Sequence, residues 1–348
     1  MPTGLCINNL NCSDAALTPA NYNPGYYLTV GQSKEEPAIV FGVLKDLSPD
    51  WKGGKRIYRW VDLEPRKGVY DFSRIEADLA YLRSINKELF IQLFYTQFNG
   101  NGKPQVPNYM WNDPQYGCGT KVDGTIKYYG SFQRNTGTGG WIPCYWNRKL
   151  RERIAALYTA LGERFSNEPN FEGIAIDETA ADFYAAQQQP GYDLNELLET
   201  FKAKALAARQ SFPDKVVMQH INFAAYSLAD FAAWLAQNNI GIGGPDVYLS
   251  NRVLLENTYP LYLKYHNHVV TGQDVQWQNY VQRNTFLGRT NTPEELLLGA
   301  IKETNPRYIF WQRRDPYFFQ EGNGVVDSVK KHGLPPAAQK YYEGDALF

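Results

Sequence analysis

A chain of 348 residues with 35 basic and 36 acidic side chains carries a formal net charge of −1 and no long single-sign block, so it lacks the electrostatic footprint that nucleic acid or a charged membrane surface requires. No stretch approaches the roughly 20 consecutive apolar residues of a membrane helix, and Met1 to Asn11 shows neither the basic start nor the apolar run of a secretory signal. Aromatic residues are abundant, with 25 Tyr, 18 Phe and 8 Trp. Flat rings that stack on apolar sugar faces, set among many Asn and Gln, suit a wet carbohydrate groove as well as a large core.

Residues 1–24 read as an N-terminal lead. From residue 25 to about 332, strand and helix patterns alternate, which predicts parallel βα units in one α/β domain spanning 25–348. Eight strands are predicted, at 25–31, 56–62, 88–95, 172–178, 215–222, 245–250, 268–275 and 306–313. The first connection, 33–51, contains Pro37 and Pro49 and leaves room for only a short helix. After the second strand, Ser73 with Glu76 three residues on predicts a capping box ahead of Leu79 and Leu82.

The third strand is followed by a stretch of different character. Residues 96–145 are rich in Gly, Asn, Tyr and Trp without helical periodicity, and loops of that length inside a compact domain are usually functional. Beyond it, Leu194, Leu197, Leu198, Phe201 and Ala205 recur at helical spacing, so that helix buries one face. Thr292-Pro293-Glu294-Glu295 supplies a cap, a first-turn proline and a cap-pairing acid for the last long helix. A short tail, 333–348, closes the chain.

The four cysteines, Cys6, Cys12, Cys118 and Cys144, fall into an N-terminal pair and a pair flanking the long loop. That grouping suggests bridges Cys6–Cys12 and Cys118–Cys144 among three connectivities, and with them a secreted, periplasmic or cell-surface location. Phosphate loops, dinucleotide fingerprints, zincin motifs and serine elbows are absent, so no cofactor is implied. His220, His266, His268 and His332 lack metal-ligand spacing, and no metal site is predicted.

Carboxylates are the remaining candidates for chemistry. The run Trp60-Val61-Asp62-Leu63-Glu64-Pro65-Arg66-Lys67-Gly68-Val69-Tyr70-Asp71-Phe72 resembles the W-x-x-[LI]-E-P-x-x-G-x-Y-x-F signature that follows an early barrel strand in clan A TIM-barrel glycoside hydrolases, which include β-galactosidases and cellulases. The resemblance implies a single (β/α)8 barrel with the long insertion after strand three as a wall of the substrate cleft. It also implies cleavage of a poly- or oligosaccharide by two carboxylates, with retention of configuration.

Within the run, Glu64 is expected to order a turn. In clan A enzymes the fourth strand ends in Asn-Glu, and here it ends in Asp177-Glu178; the resemblance therefore makes Glu178 the general acid/base and places Asp177 beside the sugar. The usual Glu ending strand seven is missing, and Asp274 in Gly272-Gln273-Asp274-Val275 is the nearest equivalent, followed by Asp246 near strand six. Trp311 resembles the tryptophan that floors the cleaved-sugar subsite. The strand ends at Tyr95 and Gln97, and at His220 and Asn222, complete the expected carbohydrate-binding set. Two other readings stand beside this one: a carbohydrate-binding barrel without catalysis, and another barrel enzyme such as a lyase or aldolase using a lysine or a metal.

Overall fold

The computed structural model describes residues 22–97, 105–111, 113–120, 126–127, 129–132, 140–180 and 186–343. Eight parallel strands close into a barrel: β1 (Gly25–Val30), β2 (Trp51–Arg59), β3 (Glu88–Phe94), β4 (Phe171–Ile176), β5 (Val216–His220), β6 (Gly241–Gly244), β7 (Thr271–Val275) and β8 (Tyr308–Gln312). Each strand pairs with its neighbour in the chain, and β8 returns to β1 with Gly25 opposite Tyr308. The expected (β/α)8 barrel is the fold.

The longest α-helix described after each strand is α1 (Pro37–Phe41), α2 (Ser73–Ser84), α3 (Arg148–Phe165), α4 (Leu194–Ser211), α5 (Leu228–Gln237), α6 (Tyr259–Tyr265), α7 (Pro293–Thr304) and α8 (Val325–His332) in turn. The capping box at Thr292 and Glu295 is present. The one expected at Ser73 is not: Ser73 is already helical, and Asp71 Oδ1 accepts its amide at 3.0 Å instead.

Two strands depart from the sequence-based boundaries, and glycine is the reason in both. Strand β6 lies just upstream of the predicted 245–250, in Gly241-Ile242-Gly243-Gly244, a stretch whose composition reads as a loop. Its neighbours require that composition. A Cβ on Gly243 would collide with Met218 Sδ and stand 2.6 Å from His220 Cδ2, while one on Gly272 of β7 would meet Met218 Cε at 2.6 Å. Strand β2 begins five residues earlier than predicted, through Gly53-Gly54, and ends at Arg59, after which Trp60–Leu63 form one helical turn.

Side chains alternate across each strand, so the barrel separates two cores. The inner one contains Tyr27, Phe90, Ala175, Val216, Met218, Val270, Tyr308 and Phe310. Phe90 of β3 and Phe310 of β8 are not on adjacent strands, yet their ring centroids lie 5.0 Å apart, a contact made through the interior. The outer core lies between strands and helices, as in the stacked rings of Phe165, Phe171 and Phe212.

The amino ends of the strands are sealed by both ends of the described chain. Tyr22 donates its amide to the Tyr341 hydroxyl at 3.1 Å, and the Tyr342 hydroxyl donates to the Pro24 carbonyl at 2.9 Å. The carboxyl ends carry the longer connections. There the turn at Glu64 is ordered as expected: its buried carboxylate accepts from Trp60 Nε1 and the Gly68 amide at 2.8 Å each, accepts from the Tyr109 hydroxyl at 3.0 Å, and pairs with Arg153. Cys118 and Cys144 form a disulfide with Cα atoms 5.1 Å apart. Cys6 and Cys12 lie outside the described residues.

Candidate active site

Glu178 stands two residues beyond β4 at the carboxyl end of the barrel and is only half-buried. The Asn222 amide, two residues beyond β5, donates to Glu178 Oε2. Asn222 is itself fixed, because its Oδ1 accepts from the Ala180 amide at 3.0 Å and its own amide donates to Thr179 Oγ1 at 3.0 Å. The two strand-end turns thus hold each other, and one of them positions the carboxyl group.

Asp274 projects from β7 into the interior, where Lys55 Nζ of β2 lies 2.7 and 2.6 Å from its two oxygens. Strands β2 and β7 are three apart in the ring, so this pair also crosses the barrel. His220 Nε2 of β5 lies 3.3 Å from Asp274 Oδ2. Lys55 is fully buried, with its Nζ 4.5 Å from the Phe310 ring centroid, and only 4% of Asp274 is exposed. Asp246, two residues past β6, is half-buried and belongs to the same group of charges.

Three carboxylates sharing one end of a barrel cannot all ionise readily. Burial, and then the charge of Asp246, push Glu178 up to about 8 against the opposing Asn222 hydrogen bond. Burial followed by Asp274 pushes Asp246 up to about 7. Burial raises Asp274 to about 6, with Lys55 opposing. Asp274 is therefore the first of the three to carry charge and Glu178 the last. His220 is held well below its ordinary value by burial and by the cations Lys55 and Lys204, which leaves a neutral imidazole.

Of the residues expected at the site, Glu178, Asp274, Asp246, His220 and Asn222 come together. Four others, Asp177, Tyr95, Trp311 and Gln97, do not. Asp177 is buried with Lys204 Nζ of helix α4 at 2.5 Å and the Tyr145 hydroxyl of the outer core at 3.0 Å, so its carboxylate is taken up by partners on the helix side and not by the group at the mouth. Tyr95 is buried in the outer core, its hydroxyl 2.6 Å from that of Tyr158 and its ring edge-on to Trp60.

Trp311 has no exposed surface. Because Tyr308 and Phe310 occupy the interior, alternation along β8 turns Trp311 outward, where it stacks on Tyr280 at 6.4 Å. Gln97 is half-buried and ties the long connection to the barrel, exchanging backbone hydrogen bonds of 2.7 Å with Trp141 and accepting from Gln105 Nε2 at 2.6 Å.

Sequence reasoning missed two lysines. Lys55 adjoins Arg56, and adjacent residues of a strand face opposite ways: Arg56 meets Asp78 on the outer side at 3.1 Å while Lys55 enters the barrel. Lys204 sits three residues from Phe201 and four from Ala208, on the buried face of α4. A cation on an apolar face requires an anionic partner, and that rule was the available signal.

Among the described residues no group of three or more His, Cys, Asp or Glu side chains is arranged to hold a metal ion, and no helix is long and apolar enough to cross a membrane.

No protein-family model and no curated protein sequence matches this chain. Solved structures do. The catalytic domain of a β-amylase from Paenibacillus polymyxa superposes with a TM-score of 0.59 at 9% identity, over 92% of this chain and 99% of that one. A β-galactosidase from Rahnella sp. R3 gives 0.58 at 12% identity, over 95% of this chain but 57% of the galactosidase. Endo-glycoceramidase II from Rhodococcus sp. gives 0.55 at 14% identity, over 88% and 78%. These likenesses establish the shared barrel fold; function has to come from the site.

Proposed function

We propose that this chain is a glycoside hydrolase acting on a poly- or oligosaccharide. The observation that carries the reading is the arrangement of the strand ends: a half-buried Glu178, whose carboxyl is pushed up to about 8 by burial and by Asp246, shares the mouth with Asp274, whose two oxygens are paired with the buried Lys55. Glycosidic cleavage requires such a division between a protonated carboxyl and an ionised one. That solved structures titled β-amylase, β-galactosidase and endo-glycoceramidase share the fold supports the same reading.

In the retaining course, which the clan A resemblance favours, Glu178 gives its proton to the leaving glycosidic oxygen as the bond from that oxygen to the anomeric carbon breaks. An Asp274 oxygen supplies the electron pair that bonds to the same carbon. Water then attacks this carbon, its proton passes to Glu178, and Asp274 leaves as the carboxylate. Lys55 keeps the free Asp274 carboxylate charged and oriented before it attacks and after it is released. The neutral His220 leaves that balance unchanged. The Cys118–Cys144 bridge supports a place of action outside the reducing cytosol, secreted, periplasmic or on the cell surface.

The lyase or aldolase alternative gains Lys55 as a buried amine, whose pKa burial lowers. It loses on geometry, since both carboxylate oxygens of Asp274 engage that amine and a Schiff base requires it free to attack.

The test is hydrolysis of a polysaccharide panel with the initial product anomer read by NMR, comparing wild type with Asp274→Asn and Asp246→Asn. Retention in the wild type with loss in Asp274→Asn is expected. Inversion, with the larger loss in Asp246→Asn, would transfer the second role to Asp246. An unchanged Glu178→Gln enzyme would remove the proposed acid.

A further inference from the structure

With Trp311 buried, the aromatic surface for sugar stacking must come from elsewhere at the barrel mouth. Trp277 is the best placed. It begins a short helix, Trp277–Val281, three residues beyond Asp274, and is 40% exposed. Its position is set from two sides: its amide donates to Gln312 Oε1 of β8 at 3.0 Å, and the Arg314 guanidinium carbon lies 5.6 Å from its ring centroid.

The barrel order places β3 four strands from β7 in a ring of eight, so the connections leaving these strands rise on opposite walls. On the β3 wall Trp111 and Trp141 are half-buried with ring centroids 5.2 Å apart. Trp141 is secured to the end of β3 by its two backbone hydrogen bonds with Gln97, and the Cys118–Cys144 bridge closes the same connection. Glu178 and Asp246 follow β4 and β6, and Asp274 is the fourth residue of β7. Indole side chains on the connections of opposite walls, with the carboxylate-bearing strand ends between them in the ring, match a sugar chain lying across the mouth. A pocket for a single terminal sugar needs no ring on the far wall.

We propose that Trp277 and the Trp111–Trp141 pair are stacking platforms for sugar units on either side of the bond that is cut, so that the enzyme cleaves within a polysaccharide. The inference rests on the glycoside hydrolase reading, and its test separates the two. Wild type acting on soluble polysaccharides is expected to lower viscosity well before reducing ends accumulate, and to release products of several lengths from the first time points.

In a Glu178→Gln background, which allows binding to be measured without cleavage, calorimetric titration with the best-cleaved polysaccharide reads each platform. Trp277→Ala is expected to weaken binding by about twofold to tenfold, the range of a single ring contact, and Trp277→Phe to restore part of the loss. Trp141→Ala is expected to act in the same direction. Leu298→Ser, at an exposed apolar position of α7, is the control that should bind as the parent does.

Release of only mono- or disaccharide from chain ends with viscosity unchanged would overturn the inference while leaving the hydrolase reading intact. So would a Trp277→Ala protein that binds as tightly as the Leu298→Ser control. A wild type that cleaves no polysaccharide would overturn both.

Discussion

The two ends of the barrel each bury a glutamate from the same strand connection, and they use it in opposite ways. At the amino end Glu172 of β4 is sealed: its Oε1 accepts the Asn23 amide at 2.7 Å and the Tyr308 hydroxyl at 2.5 Å, and Tyr22 covers the same end. Six residues on, at the carboxyl end, Glu178 has one side-chain donor among the described residues, Asn222, and is only half-buried. Burial raises both groups. What differs is the remaining hydrogen-bonding capacity and access to solvent. A saturated acid plugs a barrel, whereas one with a free oxygen at an open mouth is equipped to exchange a proton.

That contrast is tested most severely by Glu178→Gln, which should lower kcat by about 10²- to 10⁴-fold, the usual contribution of a positioned general acid, without a matching loss of thermal stability. Steady-state rates and calorimetric melting, measured together, check it. Next is Lys55→Met. Removing one partner of a buried ion pair typically costs about 3–5 kcal/mol, so denaturant unfolding should show a loss of that order as well as a fall in rate.

At the closed end, Tyr308→Phe takes a donor from Glu172 and should cost about 1–3 kcal/mol while kcat stays within twofold of wild type. A large rate effect there would erase the distinction between the ends.

The smallest effect concerns pH. Catalysis needs Glu178 protonated and Asp274 ionised, so kcat/KM should fall as pH rises through about 8 and as it drops below about 6. Asp246→Asn removes the largest neighbouring charge that raises Glu178, and the alkaline limb should move to lower pH. A limb that stays in place would detach Asp246 from the acid.

Much of the barrel was legible because its signals are local. Thr292 and Glu295 cap α7, the apolar run before Ile176 makes β4, and carboxylates just beyond a buried strand emerge at the barrel mouth, which is how Glu178 was located. Strand β6 was misplaced because Gly243 serves Met218 and His220 on the adjoining strand and Gly244 the Tyr262 hydroxyl, and nothing within Gly241–Gly244 signals that demand. Trp311 and Tyr95 were assigned to the site on chemical type and strand position. Their facing depends on the alternation phase of each strand, and a shift of one residue exchanges cleft for outer core.

From the sequence alone follow the βα alternation, the near-neutral charge and aromatic-rich composition, the ordering role of Glu64, and the presence of an acid at the end of the fourth strand. Tertiary structure decided the partners. Lys55 and Asp274 are 219 residues apart, and Lys204 reaches Asp177 from a helix on the outer side. Which carboxylate is neutralised, which is left with its proton and which is taken up in packing depends on distances across a closed barrel, and local propensity carries no information about those distances.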